Sequence, residues 1–251
     1  MARDDSESWF EFDAVDFVTS DHHFGHARIA EIAGRPFASV EEMSAAMVEQ
    51  WNMHVRPDQV VLHLGDLALG PIEQSVGVTS QLNGHRLLVP GNHDRVSLAT
   101  QSNRAVERFR LLYEEAGWTV LPEVRDGYRL GTRLRASHYP YVGDTTGVER
   151  HRAHRPLDDG TRLLHGHTHD REYGPHGSHE FPVGVDAFAY APVPFELVDA
   201  WLEDLRHEDE QIAANARAPQ AGGETVSLDT LEGTFGVDRR DDDGTQGGGG
   251  A

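Results

Sequence analysis

Five short stretches of the sequence combine Asp, Asn or His, usually beside a Gly. They are Ser20-Asp21-His22-His23-Phe24-Gly25-His26, Gly65-Asp66, Gly91-Asn92-His93-Asp94, Ser137-His138-Tyr139-Pro140 and Gly166-His167-Thr168-His169. Carboxylate, amide and imidazole groups suit divalent Mn, Fe, Zn, Ni or Co, and the absence of Cys excludes thiolate ligands. Alternate side chains of an extended segment point the same way, so Asp21 and His23 can face one ion together. The pattern therefore indicates a divalent-metal site.

Each stretch also has an ordinary structural explanation. Asn92 beside a Gly is a common turn former, Asp66 after Gly65 is more often in a turn than at a metal, and a single His138 is more often a hydrogen-bonded core residue. The chain has 16 His, so close pairs such as His167 and His169 are inevitable to some extent. Turns alone do not explain five such stretches in one chain, and their joint occurrence favours the metal site.

The apolar pattern predicts the elements that position these stretches. In the first half, strands alternate with helices at residues 12–19, 40–55, 59–64, 71–82, 86–89 and 97–116. The second half is mostly strand, at residues 118–121, 128–136, 162–164, 181–185 and 195–198. This mixture predicts an α/β (α+β) protein with two packed sheets flanked by helices. Strand ends in layered proteins converge on one edge, where ligands bind, so the five stretches are expected to meet there.

The charge balance limits the partners. The chain of 251 residues has 42 acidic against 22 basic residues and a formal net charge of −20, and all of its basic residues are Arg. An acidic surface without Lys suggests a halophilic protein from a cytoplasm of high salt, and a GC-rich genome that favours Arg codons is the alternative. Non-specific binding to nucleic acid is disfavoured because no basic stripe is available to displace counterions.

Location and domain organisation follow from composition along the chain. The first residues lack the apolar stretch of a signal peptide, and no run approaches the roughly 18 apolar residues of a membrane span, so a cytoplasmic protein with no membrane partner is expected. One domain is predicted over residues 1–205. Residues 206–251 are predicted to be an acidic, Gly-rich, disordered tail. Nothing in the sequence indicates the oligomeric state.

The five stretches, in this order, resemble the calcineurin-like metallophosphoesterase superfamily over residues 17–198. The words Phe24-Gly25-His26, Arg35-Pro36-Phe37, His63-Leu64-Gly65-Asp66-Leu67 and Val183-Gly184-Val185-Asp186 also resemble a compact, little characterised subgroup from bacteria, archaea and phages. The resemblance implies a four-layer sandwich of two mixed β-sheets flanked by helices.

The resemblance further implies two groups of metal ligands with one shared residue. The groups are Asp21, His23 and His169 for one ion, Asn92, His138 and His167 for the other, and Asp66 as the bridge. His93 would face the substrate phosphate and assist the leaving group, and Asp94 would orient His93. Two divalent ions, with Mn favoured, would hold a bridging hydroxide that attacks the phosphorus of a phosphodiester or phosphomonoester.

Several neighbouring residues have two explanations each. His26 either contacts the substrate or packs in the fold, and Asp186 and Arg35 either shape the pocket or support the fold. The Arg- and His-rich segment 139–159 either contacts a phosphorylated substrate or is solvated.

A small phosphate ester is the expected substrate, and two other functions compete with this one. A nuclease of the same superfamily is less favoured because the chain has no basic groove. A non-catalytic scaffold that binds a partner protein would be expected to lose ligands, whereas every position of the pattern is occupied here.

Overall fold

The computed structural model describes residues 9–144, 150–172, 174 and 179–217. The chain divides into two compact units, Met1–Glu210 and Gln211–Ala251, and the first contains the elements that matter for the site. The predicted tail from residue 218 onwards lies outside the described residues. Among the described residues, no helix is both long and apolar enough to cross a membrane.

Ten strands in the described part of the chain form two five-stranded mixed sheets. The strands are β1 (Phe10–Glu11), β2 (Phe17–Thr19), β3 (Val60–His63), β4 (His85–Leu88), β5 (Trp118–Val120), β6 (Val124–Arg129), β7 (Thr132–Ser137), β8 (Arg162–His165), β9 (Glu180–Pro182) and β10 (Val193–Pro194). Sheet I has the order β10-β2-β3-β4-β5, with only β10 antiparallel to its neighbour. Sheet II has the order β1-β6-β7-β8-β9, with only the β6–β7 pair antiparallel. The predicted fold class, two mixed sheets flanked by helices, is confirmed.

Five α-helices among the residues that the structure describes accompany the sheets. They are α1 (Ile29–Ile32), α2 (Val40–His54), α3 (Ile72–Val78), α4 (Asn103–Glu115) and α5 (Phe195–Arg217). The start of α2 follows directly from its sequence: the Ser39 side chain accepts from the Glu42 N–H, and the Glu42 side chain accepts from the Ala38 N–H. This reciprocal cap satisfies backbone donors that have no partner within the helix.

Two apolar clusters lie on the two faces of sheet I. Neighbouring residues of β3 point to opposite faces, so Val61 belongs to one cluster and Leu62 to the other. Helices α2 to α4 cover the first face with side chains that include Met47, Trp51 and Tyr113. The second face packs against sheet II, and α5 adds Phe195, Val198 and Trp201 to that layer. With both faces buried, sheet I is a firm base for the loops that leave its strand ends.

Two of the predicted strands are wrong. Residues 195–198 begin α5, because Phe195, Val198, Trp201, Leu202 and Leu205 recur at helical spacing and are all buried in the second cluster. Residues 128–136 are not one strand: they comprise the end of β6, a two-residue turn at 130–131 and most of β7. Leu130 and Gly131 both have positive φ (48° and 79°), as a tight two-residue hairpin turn requires.

The helix α5 also passes the predicted domain boundary at 205, since it continues to Arg217. The helix predicted over residues 97–116 starts only at Asn103, where the Ser102 side chain caps it by accepting from the Ala105 N–H.

Candidate metal centre

The predicted site residues lie in the loops that follow five strands. β2 leads to Asp21 and His23, β3 to Asp66, β4 to Asn92, His93 and Asp94, β7 to His138, and β8 to His167 and His169. The pairing of β2 with β3 continues into their loops, where the His23 N–H donates to the Asp66 carbonyl at 3.0 Å. The two sheets meet at the same place, because Ser20 forms a parallel bridge with Gly184. The five loops therefore converge on one edge.

The backbone of these loops is left-handed at five of the seven predicted ligands. Those residues, with φ between 53° and 74°, are Asp21, His23, Asp66, His167 and His169. A residue with a Cβ in a sparsely populated region costs about 1–3 kcal/mol, and such strain is concentrated at functional sites. Close packing of the loops accompanies it: a Cβ on Gly65 would overlap the backbone of Gly91.

Asp21, His23 and His169 form the first group. Their ligand atoms lie within 4.8 Å of one another, and the Nε2 atoms of His23 and His169 are 3.2 Å apart. The Asp21 Oδ2 atom accepts from the Ser20 hydroxyl at 2.5 Å and from the His167 N–H at 3.0 Å. Its Oδ1 atom is buried and has no hydrogen-bond donor in the described part of the chain. A buried carboxylate oxygen without a donor is the kind of atom that a cation would satisfy.

Asn92, His138 and His167 form the second group. His138 Nδ1 lies 2.8 Å from the Leu64 carbonyl oxygen, which can only accept, so the proton of this ring is on Nδ1. His138 Nε2 therefore presents a lone pair, and it faces Asn92 Oδ1 at 3.1 Å and His167 Nδ1 at 3.2 Å. Burial lowers the pKa of His138, and burial and then His138 lower the pKa of His167 to about 4. Neutral rings with lone pairs directed at one point fit a metal ion.

Asp66 lies between the two groups. Its Oδ2 atom is 3.5 Å from His23 Nε2, and its Oδ1 atom is 3.5 Å from His138 Nε2. Burial raises the pKa of this carboxyl to about 7. A cation on either side would stabilise the ionised form, so the position and chemistry of Asp66 fit a residue shared by two ions.

His93 and Asp94 have different surroundings. The His93 ring is 39% exposed, and its Nε2 atom is 3.8 Å from Asp66 Oδ2. Asp94 is fully buried and accepts from the backbone N–H groups of Asp66, Leu67 and Gly91 at 2.8–3.1 Å. Among the described residues, its carboxylate forms no hydrogen bond with the His93 ring. Asp94 thus joins the β3 and β4 loops, and its expected role of orienting His93 has no contact to support it.

A buried carboxylate–arginine pair holds the outer nitrogen of His169. His169 Nδ1 lies 2.8 Å from Asp186 Oδ2, so this nitrogen donates and Nε2 is directed at His23. Arg35 binds Asp186 through two hydrogen bonds of 2.7 and 2.9 Å. The same guanidinium also donates to the carbonyl oxygens of Asp21 and His22. A carboxylate behind a metal-binding His orients the ring and raises its basicity.

A second carboxylate–arginine pair stands behind His167. His167 Nε2 lies 3.2 Å from Asp144 Oδ2, which directs Nδ1 towards His138. Arg150 donates to Asp144 at 2.7 Å, and Arg155 approaches it at 3.5 Å. Each group of predicted ligands thus contains one His supported in the same way.

A pair of buried His lies beneath the first group. His63 Nδ1 accepts from the Gly65 N–H at 3.1 Å, so His63 Nε2 donates to His22 Nδ1 at 3.0 Å. Two Trp residues face these rings: Trp51 lies 5.4 Å from His22 and Trp118 lies 5.6 Å from His63, centroid to centroid. Burial lowers the pKa of His22 to about 3. These residues pack under the site and keep the loop after β2 in place.

The two supporting carboxylates differ in how far the sequence could have revealed them. Asp186 follows a predicted strand and a Gly, the same signal that identified the other site residues, but its role remained open between pocket and fold. Asp144 follows Gly143 in a segment without a predicted strand, so only the structure reveals its contact with His167.

Comparison with known proteins gives two phage relatives that align with this chain over nearly their whole length. No family model matches the chain. The chain is 32% identical to the Gene 66 protein of Mycobacterium phage L5, covering 82% of this chain and 99% of that protein. It is 33% identical to the Gene 66 protein of Mycobacterium phage D29, covering 75% of this chain and 96% of that protein.

Two solved structures are also similar. A protein of unknown function, AQ665 from Aquifex aeolicus, is 19% identical with a TM-score of 0.52, covering 73% of this chain and 97% of that chain. The phosphoesterase YfcE from E. coli is 19% identical with a TM-score of 0.31, covering 67% and 76%. The chain belongs to the family of the mycobacteriophage Gene 66 proteins and shares its fold with the Aquifex aeolicus protein AQ665.

Proposed function

We propose that the chain is a dinuclear-metal-dependent phosphoesterase that hydrolyses a small phosphodiester or phosphomonoester. One observation supports this most strongly: His138 Nε2 and His167 Nδ1 lie 3.2 Å apart, and other bonds leave neither with a proton. Two lone pairs at this distance repel each other unless a cation lies beside both. In this proposal Asp21, His23 and His169 hold one ion.

The other ion is held by Asn92, His138 and His167, and Asp66 contacts both ions. The donor set of imidazole, carboxylate and amide suits Mn, Fe, Zn, Ni or Co, and we favour Mn. When bound, two such ions supply Lewis-acid polarisation of the phosphate and a water of lowered pKa. The positive charge is local, which explains how a chain with a net charge of −20 could bind an anionic ester.

His93 is the proposed general acid. Its ring is partly exposed beside the ligands, and its backbone N–H donates to Asp66 Oδ1 at 2.9 Å. Burial lowers the pKa of His93, and the Asp66 carboxylate opposes that shift. A partly exposed imidazole beside the metal centre suits the transfer of a proton to the leaving oxygen. We assign Asp94 a positioning role, through the backbones of Asp66 and Gly91.

Metal removal tests the proposal. The protein is stripped with a chelator, and hydrolysis of bis(p-nitrophenyl) phosphate is measured in molar KCl with and without Mn²⁺. Activity that returns only with metal is the expected result. Protein that is folded and metal-loaded but hydrolyses neither this diester nor p-nitrophenyl phosphate would contradict the proposal. Repeating the hydrolysis assay at low salt tests whether the protein is adapted to high salt. Replacing the diester by a single-stranded oligonucleotide tests the nuclease alternative.

His93→Ala separates chemistry from metal binding. We expect turnover to fall by about two orders of magnitude or more, the usual scale for general acid–base catalysis, with the metal content unchanged. His85→Ala is the matched control, since His85 is an exposed residue of β4. Unchanged turnover in His93→Ala would remove His93 from the mechanism.

A further inference from the structure

A cleft of about 700 Å³ opens beside the candidate metal centre. His23, His93 and His169 line its inner end, and Ile32, Arg150 and Arg171 line the rest of its wall. The chain as a whole has almost twice as many acidic as basic residues. Counted over the described residues, the cleft has the opposite balance, because Glu31 is the single acidic residue among those that line it, and Glu31 is exposed and paired with Arg28.

The two arginines of the cleft differ in how their charge is balanced. Arg150 is bound to the buried carboxylate of Asp144, so its charge is already neutralised. Arg171 has no carboxylate within ion-pair distance among the residues described. Its guanidinium donates to the Ala33 carbonyl oxygen through Nε at 3.1 Å and also through Nη2. A carbonyl orients the guanidinium without neutralising it.

The chain makes room for Arg171 at this place. Gly34 has φ of 62°, and a Cβ on it would overlap the Arg171 guanidinium. The guanidinium lies against the loop after α1. Arg171 follows the predicted ligand His169 by two residues, and both residues line the cleft. The charge of Arg171 thus belongs to the same cleft as the candidate metal centre.

We propose that Arg171 binds a second anionic group of the substrate, so the preferred substrate is a small phosphate ester that also carries a carboxylate or a further phosphate. This inference rests on the proposed phosphoesterase function and narrows it. The metal centre binds the scissile phosphate, and Arg171 binds the second anion through the guanidinium edge that Ala33 leaves free. The apolar side chain of Ile32 lies in the same cleft and faces the carbon skeleton between the two anions.

Paired inhibitors test this arrangement on the metal-loaded, full-length protein. Alkylphosphonates with a terminal carboxylate and one, two or three methylenes are compared with alkylphosphonates of the same length without it, as inhibitors of bis(p-nitrophenyl) phosphate hydrolysis. We expect at least one carboxylate to improve inhibition by about tenfold or more, the scale of a hydrogen bond to a charged group. Arg171→Gln should abolish this advantage, with metal content and Tm showing that the variant is intact.

Arg28→Gln is the matched control, because it removes the same charge from a residue near the cleft that does not line it. The advantage of the carboxylate should persist in this variant. The role of Arg171 would be overturned if the carboxylate gave no advantage in the wild-type protein. It would also be overturned if that advantage survived in Arg171→Gln or disappeared equally in Arg28→Gln. Absence of metal-dependent hydrolysis before any inhibitor is added would instead overturn the phosphoesterase function, and the inference with it.

Discussion

The two carboxylate–arginine pairs behind His169 and His167 both hold the outer nitrogen of a candidate ligand, but they differ in how deeply the arginine is buried. Arg35 and Asp186 are 0% and 2% exposed, and Arg35 also binds two backbone carbonyls of the β2 loop. In the other pair, Asp144 is 1% exposed but Arg150 is 45% exposed. Arg150 belongs to a segment that also lines the cleft.

This difference indicates that the half of the centre around His169, the core half, belongs to the protein core. The half around His167, the substrate half, lies towards the cleft. The Arg35–Asp186 pair joins the loop after β2 to the loop after β9, so it holds the two sheets together as well as His169. The Asp144–Arg150 pair joins His167 to a surface segment. We therefore expect damage to the first pair to affect folding and metal binding together, and damage to the second to affect metal binding alone.

Removal of Asp66, which the two groups of candidate ligands share, should impair both halves of the metal centre. Asp66→Ala is expected to lose at least one metal ion, and turnover should fall by about a thousandfold or more because metal ions contribute several kcal/mol to transition-state stabilisation. Metal analysis beside steady-state rates measures this. A variant that kept both ions would contradict the bridging position.

Arg35→Gln tests the core half. The substitution leaves the Asp186 carboxylate buried without its charged partner, and we expect the free energy of unfolding to fall by about 3–5 kcal/mol. Urea denaturation of the metal-free protein measures the change. A fall below about 1 kcal/mol, the scale of an exposed ion pair, would show that the Arg35–Asp186 pair contributes little to the stability of the fold.

The carboxylates themselves sharpen the comparison. Asp186→Asn and Asp144→Asn preserve shape and remove the negative charge behind His169 and His167, respectively. Each should weaken metal binding by about 10- to 100-fold at one position, the usual effect of losing such a partner. Calorimetric titration with Mn²⁺ should show one weakened and one unchanged site in each variant. Equal weakening of both sites would mean that the two halves are not separable.

Arg150→Gln should have the smallest effect. Because this Arg is half exposed, we expect its loss to cost about 1 kcal/mol or less in the free energy of unfolding. The same denaturation experiment as for Arg35→Gln provides the measurement. A loss as large as that of Arg35→Gln would contradict the division into a core half and a substrate half.

The local sequence pattern predicts that the candidate ligands lie close together at one edge, but it does not predict all of the contacts that support them. Asp21, Asp66 and His138 each follow an apolar run, and the ends of neighbouring strands meet at one edge, so local pattern was enough to bring them together. Asp144 had no such signal, because its contact with His167 depends on the path of a loop. The connection from Asp94 to the Asp66 backbone likewise depends on geometry across two loops.

The fold was predicted least well where pairing partners or helical register decide the structure. The hairpin turn at Leu130 and Gly131 lies within a segment predicted as one strand, where Gly131 is the single turn-favouring residue of 128–136 and the positive φ of both residues marks the turn. The apolar residues from Phe195 onwards fit a strand over four positions, and the helical spacing becomes visible only over a longer window. The division of the strands between two sheets depends on contacts between residues that are distant in the sequence, and a local pattern does not contain these contacts.

The pair of Trp residues beneath the site has a spectroscopic consequence. Trp51 and Trp118 face the buried rings of His22 and His63, and His22 lies between the proposed ligands Asp21 and His23 in the chain. The other two Trp residues belong elsewhere: Trp9 is half exposed and Trp201 packs in the layer between the sheets. Intrinsic fluorescence of the unlabelled protein should therefore respond to occupancy of the first group of ligands, which allows metal binding to be followed in real time without a dye.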